Sequence, residues 1–385
     1  MSLHFWFGWL KTIPKVKKSL CKIVHINIAL NNMLRPINIL ITGAGAPGIQ
    51  GTIFSLRENY DDRKVTIVGT DMKDSVSGRY LSDYFYTIPA AKDTENYIHG
   101  VLSICKEHEI DVFVPQNTME LLILSQRKDL FDKIGTKILV SDYSAIVAAN
   151  DKHHLFNVAK SIGVPTSEYG VCSNYRSLKE MINKFMTKNG MAVVKPPLSN
   201  GSRGVRVITA NRDRKHDFYN EKPNSLYTTL DELYDILGEE FPELLVMDYL
   251  PGAEYTVDVF RTNNKFYAIP RKRETIRSGI TFTASLENNQ KMIEYSQMLA
   301  DACNLTLCFG FQFKLNAEDE PILLESNPRV QGTMVMSTFC GANIIYSSVK
   351  ALLGEDIPDF NINWNTKLYR YWGAIGINGE NIIKI

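Results

Sequence analysis

The chain has few of the features that mark secreted, membrane-spanning or nucleic-acid-binding proteins. Its 385 residues include only six cysteines, none in a CxxC pair. We therefore predict free thiols in a reducing, cytoplasmic compartment, and neither a disulfide framework nor a zinc site. Lysine and arginine number 43 against 42 acidic residues, a balance that does not favour nucleic acid or an anionic membrane as partner. No apolar run is long enough for an integral membrane segment.

Residues 1–35 differ from the rest in mixing aromatic residues with lysines. A signal peptide needs an unbroken apolar core and a small-residue cleavage site. Neither is present, because Lys11 and Pro14 interrupt the first apolar run. We expect a nonessential extension, since Met33 offers a later start. A peripheral amphipathic segment is the alternative.

Short apolar strands alternate with helical segments between residues 36 and 145. Strands are predicted at 38–42, 65–70, 111–115 and 137–140, with helices at 53–60, 95–108 and 121–131. Strands that alternate with helices indicate a parallel sheet covered by helices. We therefore predict one α/β domain here, and the length leaves room for one or two more domains.

The first strand of this domain runs into a glycine-rich turn. Gly43, Gly45 and Gly48 form GxGxxG before a helix, and Asp71 ends the next strand, as in a dinucleotide-binding fingerprint. An NAD(P)-dependent oxidoreductase is therefore one alternative function. Three glycines also suit any tight first turn, and Pro47 removes one backbone donor from the loop.

Residues 146–355 show a less regular order of elements. Strands are predicted at 192–195, 205–209, 244–247, 255–260 and 265–270, and helices at 151–162, 178–187, 230–237 and 289–302. Residues 212–225 are charged and predict an exposed, irregular insertion.

Residues 309–329 predict a hairpin with one polar face. Residues 309–315 and 322–327 both alternate with a period of two around a polar turn, which indicates two paired strands. If the turn centres between Glu318 and Asp319, Gln312 lies opposite Glu325, and Asn327 points to the same side as Glu325. Oxygen ligands of this kind suit Mg²⁺. A solvated hairpin with outward polar residues is the alternative.

Two further segments carry nucleotide-binding chemistry. Lys195 ends a strand beside the Gly/Ser loop 199–204, so it can pair with phosphates while loop amides cover them. Residues 247–255 place an apolar strand end and a turn before Glu254, as an adenine slot with a ribose-binding carboxylate requires. The alternative for the Lys195 segment is a surface hairpin with an exposed lysine. The alternative for residues 247–255 is an ordinary turn between two strands.

Taken in order, these segments resemble the ATP-grasp superfamily, in particular the carbamoyl-phosphate-synthase-like carboxylate–amine ligases. The resemblance covers roughly residues 36–350 and rests on NDK at 150–152, VKP at 194–196, loop 199–204, PGAEY at 251–255 and ESNPR at 325–329. It implies an α/β and α+β protein, in which a Rossmann-like pre-ATP-grasp domain (36–145) precedes a two-lobed ATP-grasp domain (146–355). The lid would cover about 163–243 and the metal-binding lobe about 244–355. Residues 356–385 would be a C-terminal segment packed on the core or on a neighbouring subunit.

The resemblance also implies site residues. The cofactors would be ATP and Mg²⁺, with Mn²⁺ as an alternative metal. The metal ligands would be Gln312, Glu325 and Asn327. Arg329 and Lys195 would stabilise the transferred phosphoryl group. Contacts to ATP would come from Lys152, Lys195, Ser199, Gly201, Ser202, Gly204, Met247, Asp248, Tyr249, Leu250, Glu254 and Gln312. Many family members carry a carboxylate where this chain has Gln312.

The resemblance implies an ADP-forming ligase that joins a small-molecule carboxylate to an amine. For the assembly, a homodimer is the commonest default. Its substrate residues would be Gln116 and Glu120 in the first domain, with Arg271 and Arg273 in the second. A non-catalytic ATP-binding regulatory protein would keep the same binding residues and remains a second alternative.

Overall fold

In the computed structural model, the residues described are 34–197, 204–210, 212–220, 226–277, 279–379 and 381–384. The predicted phosphate-loop residues Ser199, Gly201 and Ser202, and almost all of the predicted N-terminal extension, lie outside them. Among the described helices, none combines the length and the apolar character needed to cross a membrane.

The first domain is built on a parallel five-stranded sheet in the order β3-β2-β1-β4-β5, as the sequence predicts. Its strands are β1 (Ile37–Ile41), β2 (Val65–Asp71), β3 (Tyr84–Thr87), β4 (Val112–Val114) and β5 (Lys137–Ile138). Its helices are α1 (Ile49–Arg57), α2 (Thr94–Glu107), α3 (Thr118–Gln126), α4 (Lys128–Asp132) and α5 (Tyr143–Asn150). The strand order reverses between β1 and β4, so the loops after these two strands flank a crevice of the kind that binds ligands in such sheets.

Two features of this domain differ from the prediction. The helix expected over 121–131 is two helices, α3 and α4, which meet at Arg127. Strand β3 was not predicted, because its four residues are half-buried or exposed and lack an alternating apolar pattern.

A second, mixed sheet has the order β6-β10-β7-β8-β9. Its strands are β6 (Tyr169–Asn174), β7 (Met191–Lys195), β8 (Arg206–Thr209), β9 (Tyr227–Thr228) and β10 (Glu240–Asp248). The helices of this region are α6 (Lys152–Ser161), α7 (Tyr175–Asn189), α8 (Arg214–Asn220) and α9 (Leu230–Leu237). Leu178, Ile182 and Phe185 recur at helical spacing on α7 and form a core with the sheet.

The expectation of an irregular insertion at 212–225 is wrong for its first part, which forms helix α8. Arg212 explains the difference, because its guanidinium bonds Asp217 of α8 and Glu232 of α9, both at 2.6 Å. These charges are paired with one another and do not form a loose, solvated loop.

A third sheet, antiparallel throughout, has the order β15-β14-β11-β12-β13-β16. Its strands are β11 (Glu254–Arg261), β12 (Phe266–Arg277), β13 (Ile280–Leu286), β14 (Leu307–Leu315), β15 (Pro321–Asn327) and β16 (Lys367–Tyr369). The helices here are α10 (Gln290–Ala302), α11 (Val335–Phe339) and α12 (Ile344–Leu352). Phe309, Phe311 and Phe313 of β14 are fully buried in the core that this sheet shares with α6 and α10.

Two of the predicted domain boundaries, which stay predictions, fall within secondary-structure elements. The boundary near residue 145 falls inside α5, and the lid boundary near residue 243 falls inside β10, which pairs with β6 and β7 as far as Asp248. In the C-terminal segment, Leu368 of β16 is buried in a core that also contacts Trp364. The expectation that this segment packs on the core is thus confirmed for its first part. Beyond it, β17 (Ile375–Asn378) and β18 (Asn381–Lys384) form a separate hairpin.

Candidate nucleotide-binding and catalytic site

A cleft of about 590 Å³ lies between the three sheets. It is lined by residues from the first domain, from the sheet that contains β7 and β10, and from the β11–β15 sheet. Many of the residues predicted from the sequence line this one cleft: Gln116, Lys152, Lys195, Met247, Asp248, Tyr249, Leu250, Glu254, Arg271, Arg273, Gln312, Glu325, Asn327 and Arg329.

The β14–β15 hairpin has the register that its alternation predicts. Gln312 pairs with Glu325, and Asn327 pairs with Gly310. The Asn327 Nδ2 donates to Glu325 Oε1 at 3.4 Å, so the two side chains lie on the same side. The three oxygen-bearing side chains therefore converge on the cleft, as expected.

The two lysines approach this hairpin from other elements. Lys152 begins α6, and its Nζ lies 3.7 Å from Glu325 Oε2. Lys195 ends β7 and is almost fully buried. Burial, and secondarily the charge of Lys152, lowers the pKa of Lys195 to about 8. Two neighbouring ammonium groups in a desolvated site favour an anionic ligand between them.

Arg273 links two of the predicted ligand-binding residues. Its guanidinium forms an ion pair with Glu254 and donates to Gln312 Oε1 at 3.4 Å. It also donates to Gly279 O at 2.7 Å and to Thr281 Oγ1 at 2.9 Å. Arg273 thus holds the polar face of four strands together, a role that the sequence did not reveal.

Arg271, the other predicted substrate arginine, is 2% exposed. Its Nε donates to Asp258 Oδ2 at 2.7 Å, and Gln331 Nε2 lies 3.5 Å from Asp258 Oδ1. Burial raises the pKa of Asp258, and Arg271 opposes that shift. The Nη1 of Arg271 has no hydrogen-bond acceptor, although the residue lines the cleft.

Arg329 joins the hairpin to the first domain. Its Nε donates to Thr118 Oγ1 at 3.1 Å, and its Nη1 donates to Val330 O at 2.9 Å. Its Nη2 donates to Asn327 Oδ1 at 3.4 Å. Burial lowers its pKa, while the charges of Glu325 and Glu120 oppose this.

The two substrate residues predicted in the first domain have different positions. Gln116 lines the cleft, and its Nε2 is buried without a hydrogen-bond partner. Glu120 is not among the lining residues, and it accepts a 2.5 Å hydrogen bond from Thr42 Oγ1. Burial raises the pKa of Glu120 to about 7. Glu120 is therefore more enclosed than Gln116, and its role in substrate binding stays a prediction.

The glycine-rich turn of the first domain packs against the loop that follows β15. A Cβ on Gly48 would lie only 2.4 Å from Gly332 Cα, so this glycine permits close approach of two backbones. Asp71, which would accept ribose hydroxyls in a dinucleotide fold, instead accepts the Gly45 and Lys73 amides at 2.8 and 3.0 Å. These contacts give the turn a structural role.

Two family models match consecutive parts of the chain. The PylC-like N-terminal domain matches residues 39–139, and a model described as ATP-grasp in the biosynthetic pathway with Ter operon matches residues 240–368. The first match falls on the first domain, and the second falls on the region that contains the β14–β15 hairpin. Residues 240–368 thus match the ATP-grasp family.

Comparisons with individual proteins agree with this assignment. The carbamoyl phosphate synthase large chain of Agathobacter rectalis is 24% identical over 237 residues, which are 58% of this chain and 20% of that one. The N5-carboxyaminoimidazole synthetase of Staphylococcus aureus, solved with ADP, superimposes with a TM-score of 0.60 at 16% identity and covers 85% of this chain and 80% of its own. The biotin carboxylase domain of Hydrogenobacter thermophilus 2-oxoglutarate carboxylase, solved with MgADP, gives 0.61 at 15% identity, with coverages of 86% and 73%. The chain thus spans about a fifth of the synthase large chain that it matches.

The ATP-grasp hairpin suits a divalent cation that arrives with a nucleotide. Within the described residues, no three His, Cys, Asp or Glu side chains cluster as a metal site. Glu325 is the one carboxylate among the predicted ligands, and Gln312 and Asn327 add amide oxygens. Mg²⁺ takes few protein ligands and completes its shell with phosphates and water, so this donor set fits it.

The ATP-grasp cleft contains functional candidates that the sequence analysis did not select. Lys314 of β14 lies 5.1 Å from the centre of the Tyr249 ring in the predicted adenine slot. Its alternation with Gln312 was a usable signal, because the two side chains lie on one face. Arg370 had no signal of this kind, since only tertiary packing brings its guanidinium to the carbonyls of three lining residues.

Proposed function

We propose that this ATP-grasp protein is an ADP-forming ligase that activates a small-molecule carboxylate as an acyl-phosphate and transfers the acyl group to an amine. The observation that carries the proposal is the convergence of Gln312, Glu325 and Asn327 with Lys152 and Arg329 in one cleft. Metal-ligating oxygens and phosphate-binding cations are brought together there by three different elements.

The roles of the residues follow from their positions. Lys152 and Lys195 would neutralise nucleotide phosphates, and Met247–Leu250 with Glu254 would hold the nucleoside. Gln312, Glu325 and Asn327 would hold Mg²⁺, which spreads the negative charge of the phosphates when it is bound. Arg329, buried beside the first domain, would stabilise the oxygens of the transferred phosphoryl group. Exclusion of water during the reaction would protect an acyl-phosphate from hydrolysis.

The carboxylate substrate would lie between Gln116 and Arg329. The Arg329–Thr118 hydrogen bond of 3.1 Å supports this placement, because it brings the turn after β4 to the end of the hairpin.

The oxidoreductase alternative has less support, since the Asp71 carboxylate already accepts two backbone amides. A non-catalytic ATP-binding protein would show the same cleft, so turnover is what separates it from a ligase.

The first test is thermal unfolding of the wild type and of Glu325→Ala with Mg-ATP, Mg-ADP and NAD(P)H. We expect a magnesium-dependent rise in Tm with adenine nucleotides that the variant loses. Glu95→Ala is the control, because Glu95 is exposed and pairs with Arg127 far from the hairpin. A rise with NAD(P)H alone would contradict the proposal. Phosphate release with a mixture of carboxylates and amines would then distinguish a ligase from a binding protein.

A further inference from the structure

One end of the cleft is lined by hydrogen-bond donors and contains no lining carboxylate among the described residues. The carboxylates that line the cleft are Asp248, Glu254 and Glu325, and all three belong to the predicted nucleotide and metal positions. A separate part of the lining is formed by the Ala46–Gly48 turn, Gln116, Arg271 and residues 331–333. An anionic group would therefore meet no carboxylate from the lining at this end.

Two of the donors at this end have no acceptor. Gln116 is 8% exposed and Arg271 is 2% exposed, yet Gln116 Nε2 and Arg271 Nη1 form no hydrogen bond. A buried donor without an acceptor is unfavourable. An oxyanion in the cleft would offer such donors an acceptor.

A second cation, Arg370, lies directly behind this part of the cleft lining. Arg370 follows β16, and its guanidinium donates to Thr281 O at 3.3 Å, Pro47 O at 3.3 Å and Gly332 O at 3.0 Å. All three accepting residues line the cleft. These acceptors are neutral carbonyls, so they leave the charge of Arg370 uncompensated. Arg271, in contrast, is neutralised by Asp258.

We propose that this end of the cleft binds a second anionic group of the substrate, separate from the carboxylate that is activated beside Arg329. Gln116 and Arg271 donate hydrogen bonds to it, and Arg370 supplies the charge. The substrate is accordingly a dicarboxylate or a phosphorylated acid. This inference rests on the proposed function, because it assumes that the other carboxylate is the one activated.

The test uses pairs of compounds that differ in one anionic group: succinate and succinamate, L-glutamate and L-glutamine, and 3-phosphoglycerate and glycerate. Binding of each is measured by calorimetry, with and without Mg-ADP, to wild type, Arg370→Gln and Arg370→Lys. Arg176→Gln is the matched control, since its side chain is 91% exposed on α7.

We expect at least one dianionic member to bind about tenfold or more tightly than its neutral-tailed partner, as a charged hydrogen-bonded group requires. Arg370→Gln should lose this preference, while Arg370→Lys and Arg176→Gln keep it. A preference within either of the first two pairs would indicate that the second anionic group is a carboxylate. A preference within the third pair would indicate a phosphate. Equal binding within every pair, no binding at all, or an unchanged preference in Arg370→Gln would overturn the inference. If the protein preferred the dianionic compounds but did not bind Mg-ADP, that result would instead overturn the proposed function.

Discussion

Arg329 of the hairpin donates its Nε–H to the hydroxyl of Thr118 at 3.1 Å, across the boundary between the third sheet and the first domain. Thr118 begins α3, and the side chain of Asn117 caps that helix by accepting the Met119 amide. The position of a proposed catalytic cation is thus set partly by a helix that belongs to another domain. In the proposed function, substrate recognition and phosphoryl transfer would share this contact.

Replacing Thr118 with valine tests the contact, because valine has nearly the same shape but no acceptor. A hydrogen bond to a charged group is worth ~1.5–3 kcal/mol, so we expect substrate-dependent ADP formation to fall by about tenfold or more. Mg-ADP affinity by calorimetry should stay unchanged. Thr187→Val, at an exposed helix position, is the control. If Mg-ADP affinity fell by the same factor, the Thr118–Arg329 contact would not act specifically on the activated carboxylate.

The pKa of Lys195, lowered to about 8 by burial, predicts a pH dependence of nucleotide binding. Below pH 8 the free protein carries the ammonium that phosphates favour. Above pH 8 binding must recover a proton, so affinity for Mg-ADP should fall by up to about tenfold per pH unit. Calorimetry between pH 7 and 9.5 measures this. Lys195→Arg should flatten the profile, since arginine stays charged, and an identical slope in both proteins would refute the assignment.

Glu120 predicts a pH dependence of stability. Its pKa is raised from 4.5 to about 7, so the unfolded chain ionises this group before the folded protein does. Stability is therefore lost as pH rises from about 4.5 to 7. Relative to Glu120→Gln, the wild type should lose about 2–3 kcal/mol of unfolding free energy between pH 5 and pH 8. Urea unfolding at the two pH values measures the difference, and parallel pH profiles would contradict the prediction.

Gly48 should not tolerate a side chain, because a Cβ there would lie 2.4 Å from Gly332 Cα. We expect Gly48→Ala to destabilise the protein by at least ~1–3 kcal/mol, the usual cost of overpacking. Gly100→Ala is the matched control. Gly100 lies within α2, where a Cβ would meet only Pro89 Cδ at 3.7 Å, and alanine favours a helix by ~0.5–1 kcal/mol. Equal Tm values for the two variants would contradict the close backbone contact.

The hairpin could be predicted because its information is local. Buried phenylalanines alternate with Gln312 and Lys314 on β14, and a polar turn of known position fixes the register between Gln312 and Glu325. The parallel sheet of the first domain was predictable for the same reason, since strands and helices alternate there.

Other parts of the site depend on contacts between distant residues. The Arg273–Glu254 ion pair spans two strands whose register no local pattern defines, and Arg271 looks like a solvated strand residue until Asp258 is placed beside it. Helix α8 was missed because its charges resemble those of a loop, although Arg212 pairs them internally. Glu120 was assigned to substrate because it follows a strand end, while its burial is decided by packing.

Strand β16 closes the outer edge of the largest sheet by pairing with β13, and Arg370 follows it directly. During synthesis, β13 is made some 80 residues before its partner, so its edge stays unpaired while the rest of the sheet can already form. Unpaired edges invite association with other chains. The nascent protein is thus most exposed to misassembly just before residues 367–370 emerge, and the same short stretch both ends that exposure and finishes the wall of the cleft.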